Sequence, residues 1–313
     1  MIRQAFVLGA GLGTRLRPLT EDLPKPLVPI FQKPLVTFAF DHLIEAGITK
    51  FFVNTHHQPE KFAEVFPANS YGDVPIDFRN EPVLLETGGG IKNIEDLLGK
   101  EPFVVYSGDI LTDVDLAPLI DEHFRKKNDV TLALRETGLG QGVVLREGRI
   151  EAIRSKKEPP GHYDYANISV WNSNIFERIP PATKISYIPI LVDWIREGGR
   201  IGGVVLSDRK WFNIGARADY LEVHRLIATK AWRPAYMKDP AWPISIAADA
   251  KISSSAQLRG FYSIDSECIV GEDVTLENSI LWPGSQIASR SHLHSCIVRS
   301  HQTAQGNLND VDI

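Results

Sequence analysis

The sequence predicts an α/β fold: a Rossmann-like, mostly parallel sheet with helices on both faces, followed by a short parallel β-helix. Three observations carry this. From Gln4 to about Ala231, short β-rich runs alternate with segments of helical period. That alternation belongs to parallel sheets covered on both sides. A proline-rich stretch then ends the helical period, and beyond it single aliphatic residues recur at every sixth position.

The strands are expected at QAFVLG (4–9), ITKFFVN (48–54), PIDFR (75–79), PFVVYSGD (102–109) and DVTLALR (129–135). Between them, PLVTFAFDHLIEAG places apolar residues at helical spacing and stops at Gly47, a residue suited to a helix C-terminus. GGGIKNIEDLLG and DLAPLIDEHFRKK follow the same pattern, with Asp113 and Asp115 as candidate caps of the second. GVVLREGRIEAIR reads as a hairpin turning at Glu147-Gly148. In such a sheet, ligands gather beyond the carboxyl ends of the strands.

In the last part, Ile246, Ile252, Leu258, Ile264, Val270 and Leu276 stand six apart. After a slip of one, Leu281, Ile287 and Leu293 resume the stride. A hexapeptide period points each aliphatic residue into the axis of a β-helical coil. The expected organisation is a domain over 1–232, a linker at 233–243, the β-helix over 244–300 and an aperiodic tail over 301–313.

Composition narrows the function. A net charge of −5 gives no general attraction to nucleic acid or to anionic membranes. No apolar run approaches the ~20 residues of a membrane span, and no basic-then-apolar leader opens the chain, so a cytoplasmic location is expected. The two cysteines, Cys268 and Cys296, lack metal spacing and read as buried apolar residues. His292, His294 and His301 read as solvent-facing, and His56-His57 as loop.

The informative stretch is GAGLGTRLRPLTEDLPKPL, residues 9–27. It is not a dinucleotide fingerprint, because Thr14 stands where the third glycine belongs and Asn54 where an acid should end the second strand. Nor is there a P-loop string. Glycines in a loop open backbone N–H groups to an anion. Arg15 adds a planar fork suited to phosphate oxygens and Lys25 a point charge, held by flanking prolines. Asp109 ends an apolar strand, so its carboxylate projects at the carboxyl edge of the sheet, where ligands gather.

Gly11, Gly13, Thr14, Arg15, Pro18, Leu19, Thr20, Pro24, Lys25, Pro26 and Leu27 together resemble the signature of the sugar-1-phosphate nucleotidyltransferases, or NDP-sugar pyrophosphorylases. LLETGGGIKN, YSGDI, WFNIG and ENSILWPG are similar to further family segments in the family's order. The resemblance implies a left-handed β-helix and a reaction in which a sugar 1-phosphate attacks the α-phosphate of an NTP and pyrophosphate leaves. It implies Arg15 and Lys25 as catalytic cations. It implies nucleotide binding by Leu8, Gly9, Ala10, Gly11, Gly13, Thr14, Arg15, Thr87, Gly88, Gly89 and Asp109; Glu81, just upstream of ETGGG, is a further candidate, for the base edge. It implies Mg2+ on Asp109 and on Asn213, which stands where many relatives have aspartate. For the sugar phosphate it gives Gly142, Lys156 and Asn167. Where relatives have Glu-Lys-Pro this chain has Ser155-Lys156-Lys157, so the sugar stays open.

LLETGGGIK and Asn213 lean toward N-acetylmuramate 1-phosphate uridylyltransferases and hence UTP. ENSILWPG and the hexapeptide part lean toward mannose 1-phosphate guanylyltransferases and hence GTP, and heptose 1-phosphate guanylyl transfer is a third option. Outside this chemistry stand a catalytically silent regulatory subunit and a hexapeptide acyltransferase. The open ends of a short coil predict a homo-oligomer.

Overall fold

The computed structural model describes residues 2–138, 142–155, 158–206 and 209–313. It contains two compact units: Met1–Leu12 with Val36–Trp211, and Gly13–Leu35 with Phe212–Ile313. The division therefore cuts the glycine-rich signature stretch between Leu12 and Gly13.

The first unit is built on ten strands: β1 Gln4–Leu8, β2 Lys50–Thr55, β3 Ser70–Tyr71, β4 Val74–Asn80, β5 Phe103–Ser107, β6 Val130–Arg135, β7 Val143–Arg146, β8 Arg149–Ile153, β9 Asp164–Trp171 and β10 Ile201–Val205. Across the sheet the order is β7-β8-β10-β6-β9-β5-β1-β2-β4-β3. Strands β5, β1, β2 and β4 run parallel, as do β10 and β6, while β9 is antiparallel to both its neighbours. The turn of the β7–β8 hairpin has positive φ at both Glu147 (51°) and Gly148 (80°), the geometry that matches strand twist.

The central strands are buried on both faces, so they read as continuous apolar runs rather than alternating ones. Helices α1 (Leu35–Glu45), α2 (Pro59–Val65), α3 (Glu86–Lys92), α4 (Ala117–Lys126) and α5 (Tyr187–Arg196) accompany them. Phe6, Phe52, Phe103, Trp171, Leu191 and Trp194 lie in one core cluster. Each such side chain contributes about 1.5–3 kcal/mol on burial. Leu116 holds the N-cap position of α4 without a side-chain bond; Asp115, one residue before it, accepts from Ala117 N at 2.9 Å. Asp113 does not cap: its carboxylate accepts from Lys210 N at 3.1 Å.

The second unit holds α6 (Arg217–Ala228) and the coil. Three parallel ladders form the coil's faces. Ile252 pairs with Val270, then Ile287, then Ala304. Leu258 pairs with Leu276, then Leu293. Ile264 pairs with Leu281, then Val298. Three six-residue steps thus make one turn of the coil, and the slip in the stride lies at the register shift between Arg259 and Tyr262, where Phe261 N donates to Asn278 Oδ1 at 3.2 Å. Of the nine stride residues, only Ile246, at the open end, is exposed. Both cysteines are buried and unbridged, and His292, His294 and His301 face solvent.

Two expectations change. Residues 301–313 are not an aperiodic tail. Thr303–Ala304 and Asn307–Asn309 are further rungs, and Leu308 and Ile313 pack against the coil's core. The continuation escapes the six-residue stride because Ala304 is small and Leu308 follows Leu293 at fifteen residues. The stretch around 233–243 is packed rather than a free linker: Trp232, Tyr236, Met237 and Trp242 are buried. Arg233 donates to Met237 O at 3.2 Å and to the carbonyls of Asp239 and Trp242. The aromatic residues between the prolines supply the burial that composition alone did not weigh.

Candidate active site

In the first unit, the register aligns Leu8 with Asn54 and with Ser107, so β1, β2 and β5 end level. Gly9 follows at that edge. A Cβ there would lie 2.7 Å from Asn54 O, so only glycine lets the strands stay this close. The Gly9 N–H is not turned outward: it donates to Asn54 Oδ1 at 2.8 Å. Asn54 Nδ2 donates in turn to Glu81 Oε1 at 2.7 Å, and Glu81 Oε2 accepts from Leu85 N at 2.9 Å. Glu81 is 1% exposed, and each of its carboxylate oxygens accepts from one of the chain's own groups. Leu8 and Ala10 flank Gly9, with Ala10 buried, while Gly11 is exposed with no heavy atom near its Cα substituent position.

The ETGGG segment forms the start of α3. The chain itself packs against these glycines. Gly88 N and Gly89 N both donate to Ile185 O, at 2.8 and 3.0 Å. Thr87 Oγ1 accepts from Tyr187 N at 3.2 Å. A Cβ on Gly88 would lie 2.8 Å from Ile185 O, and one on Gly90 would lie 2.9 Å from Asn54 Nδ2 and 3.0 Å from Glu81 Oε1. The triplet is thus the clearance needed by the 183–187 segment and by the Asn54–Glu81 pair.

Asp109 follows β5 beyond Gly108, half-buried, with Oδ1 accepting from Ser107 Oγ at 2.8 Å. Gly108 N donates to Leu8 O at 2.9 Å, which fixes the chain one residue before the carboxylate. Nearby in the core, His42 shares Nδ1 with Tyr106 Oη at 3.0 Å and gives Nε2–H to Val114 O at 2.7 Å. Burial lowers its pKa to about 4, so this histidine is a neutral core residue. Gly142 accepts from Arg154 N at 2.7 Å beside the hairpin. Asn167 sits at φ 59° within the irregular register of β9, between Tyr165 and Ser169. Lys156 lies outside the described residues.

The second unit gathers the cations. Arg15 lies exposed in a short 3₁₀ turn, Thr14–Leu16, whose anchor is the buried Leu16. Thr20 Oγ1 donates back to Gly13 O at 2.9 Å. Lys25 opens a second turn, Lys25–Leu27, between Pro24 and Pro26. Its side chain is only 6% exposed, and Nζ donates to Asn213 Oδ1 at 3.2 Å. A Cβ added to Gly215 would lie 3.1 Å from Asn213 Oδ1 and 3.0 Å from the Arg15 guanidinium. Arg15, Lys25 and Asn213, distant in sequence, therefore converge on one spot.

Among the described residues, no group of three or more His, Cys, Asp or Glu side chains could hold a metal ion. The Asp109 carboxylate in the first unit and the Asn213 amide in the second are each an oxygen donor of the kind magnesium takes. That ion takes one or two protein oxygens and completes its shell with phosphates and water. Sequence reasoning noted Asn54 only as a residue that breaks a dinucleotide pattern. Its pairing with Glu81, both at strand ends, is the signal that could have revealed the network.

A family model described as nucleotidyl transferase matches residues 4–230, well over half of the chain. The chain belongs to this family, the sugar-1-phosphate nucleotidyltransferases. Among similar nucleotidyltransferases, the N-acetylmuramate α-1-phosphate uridylyltransferase of Neisseria meningitidis serogroup B is 40% identical over 237 residues, covering 74% of this chain and 100% of that protein. The D-glycero-α-D-manno-heptose 1-phosphate guanylyltransferase of Aneurinibacillus thermoaerophilus is 31% identical over 229 residues, 71% of this chain and 97% of that protein. The mannose-1-phosphate guanylyltransferase of Mycobacterium tuberculosis is 36% identical over 187 residues, 58% of this chain and 52% of that protein. A solved structure of a glucose-1-phosphate thymidylyltransferase from Bacillus anthracis, so assigned in its description, has a TM-score of 0.65 at 20% identity. It covers 72% of this chain and 95% of its own, and it supports the nucleotidyltransferase fold.

Proposed function

We propose that this chain transfers a nucleotidyl group from an NTP to a sugar 1-phosphate and releases pyrophosphate, with UTP and N-acetylmuramate 1-phosphate as the favoured pair. The observation that carries the reading is the convergence of Arg15, Lys25 and Asn213. An attacking sugar phosphate is already an anion, so no protein nucleophile or base is needed, and the task is alignment with charge neutralisation. Lys25 would hold the α-phosphate or the incoming phosphate, its stem fixed by burial between two prolines. Arg15, exposed on its turn, would bind the departing pyrophosphate with its planar fork. Asp109 and Asn213 would hold Mg2+, which supplies charge neutralisation at the triphosphate when bound. Asn213 is neutral, so it orients Lys25 without cancelling its charge.

The 40% identity to a uridylyltransferase, matched over its whole length, supports the uridylyl reading. Guanylyl transfer to mannose 1-phosphate is the second reading, favoured by a mannose-1-phosphate guanyltransferase of Hypocrea jecorina that is 26% identical over 96% of this chain. Four NTPs tested against N-acetylmuramate, mannose, heptose and glucose 1-phosphates, read by pyrophosphate release, separate them. The largest kcat/KM with UTP and N-acetylmuramate 1-phosphate is expected; a larger value with GTP and mannose 1-phosphate would favour the second reading.

A further inference from the structure

One arginine of the β-helix holds the turn that follows Arg15. Arg299 stands just past the strand Ile297–Val298, and its backbone N–H donates to Ile313 O at 2.7 Å. Its Nη1 donates to Pro18 O at 3.1 Å, to the Asp22 carboxylate at 2.8 Å and to Glu21 at 3.3 Å. The Arg299 side chain is 17% exposed, but Glu21 and Asp22 are 51% and 77% exposed. Carboxylates that open to water gain little from pairing. The contact with more weight is the charge-assisted bond to the Pro18 carbonyl. That same carbonyl accepts from Glu21 N at 3.0 Å, while Leu19 N donates to Leu16 O at 3.0 Å and Leu16 N to Gly13 O at 2.9 Å. The segment from Gly13 to Asp22 is therefore a chain of short-range bonds, and Arg299 ties it to the coil.

We propose that the β-helix anchors the signature loop in this chain, and that Arg299 is the positioning residue of that anchor. Arg299 is assigned no contact with substrate. It fixes the turn that follows Arg15 and, through the Leu19 N to Leu16 O bond, steadies the turn from which Arg15 projects, so that the guanidinium is already in place when nucleotide arrives. The catalytic consequence rests on the nucleotidyltransferase reading; the anchoring does not.

The test uses the full chain as wild type, R299A, R299K and the double variant E21Q/D22N, with two readouts. Hydrogen exchange without substrates follows the amides of Leu16, Leu19 and Glu21. In R299A these amides should exchange at least about tenfold faster, while those of Thr275–Leu281 in the coil stay unchanged. Pyrophosphate release with magnesium, UTP and the sugar 1-phosphate should show kcat/KM for nucleotide reduced about tenfold in R299A. R299K, which keeps a donor for Pro18 O, should recover part of both losses. E21Q/D22N should change either readout by no more than about twofold. Wild-type exchange at the three amides in R299A overturns the anchor, as does an equal rise in the coil. Faster exchange with unchanged kcat and KM overturns the positioning role. If R299A does not fold, R299K and R299Q carry the same expectations in graded form. If wild type releases no pyrophosphate from any pair, the catalytic reading fails, and exchange still decides the anchor.

Discussion

The end of β2 offers the sharpest physical test. Asn54 is 2% exposed and bridges two buried groups, accepting from Gly9 N and donating to Glu81 Oε1. Asn54→Ala strands a buried N–H and a carboxylate oxygen. At about 1–3 kcal/mol for each unpaired group, and more for a charged one, the cost should be about 3–5 kcal/mol. Asn54→Asp is more telling. It keeps an acceptor for Gly9 but sets a second carboxylate against Glu81, where the present bond is 2.7 Å long. At an effective dielectric of about 20, two such charges repel by on the order of 6 kcal/mol, enough for the pair to hold a proton at neutral pH. The folded pKa of one carboxyl is then raised above its unfolded value of about 4. Its stability contribution is full below that unfolded value and falls as pH rises, by about 1.4 kcal/mol per unit. Urea unfolding of wild type and N54D at pH 5 and pH 7 measures the difference. The deficit of N54D should be about 2.7 kcal/mol larger at pH 7, and N54D/E81Q should abolish that growth. An equal deficit at both pH values, or N54A within about 1 kcal/mol of wild type, would refute the network.

Three further outcomes are expected. Lys25→Ala should lower turnover at least ~100-fold, the scale of losing one preorganised charge contact, measured as pyrophosphate release with saturating substrates. His42 and His224 are both buried, with pKa values lowered to about 4. Their contribution to stability is present above the unfolded value near 6.5 and is lost as pH falls toward 4, at about 1.4 kcal/mol per unit for each. His224→Phe should therefore flatten the fall in stability between pH 6.5 and 4.5, read by urea midpoints. Calorimetry should detect no tight magnesium binding without nucleotide, because one carboxylate and one amide leave most of the ion's shell to phosphates and water; a micromolar site in the free protein would contradict this.

The alternation of strand and helix and the six-residue stride were legible because both are periodic and each apolar residue faces one core. The signature string was legible because its residue types already state their chemistry. Other features depend on contacts that sequence spacing does not show. Arg299 and Asp22 meet across 277 residues. That the glycines of ETGGG also clear Ile185 and the Asn54–Glu81 pair is likewise invisible in one dimension. Nothing in the sequence says that Asn54 Nδ2 and Leu85 N donate to the oxygens of Glu81. The last rungs of the coil escape the stride because Ala304 is small and the inward-facing Leu308 does not fall on a six-residue step.

The central claim is tested most directly by following the phosphates. Wild-type protein is mixed with magnesium, UTP labelled at the γ-phosphate and N-acetylmuramate 1-phosphate labelled at its own phosphate, with GTP and mannose 1-phosphate run in parallel. The account predicts the γ-label in pyrophosphate and the sugar's phosphate within a nucleotide diphosphate sugar, in equal amounts. Label in orthophosphate alone, or no turnover with any pair, would contradict it.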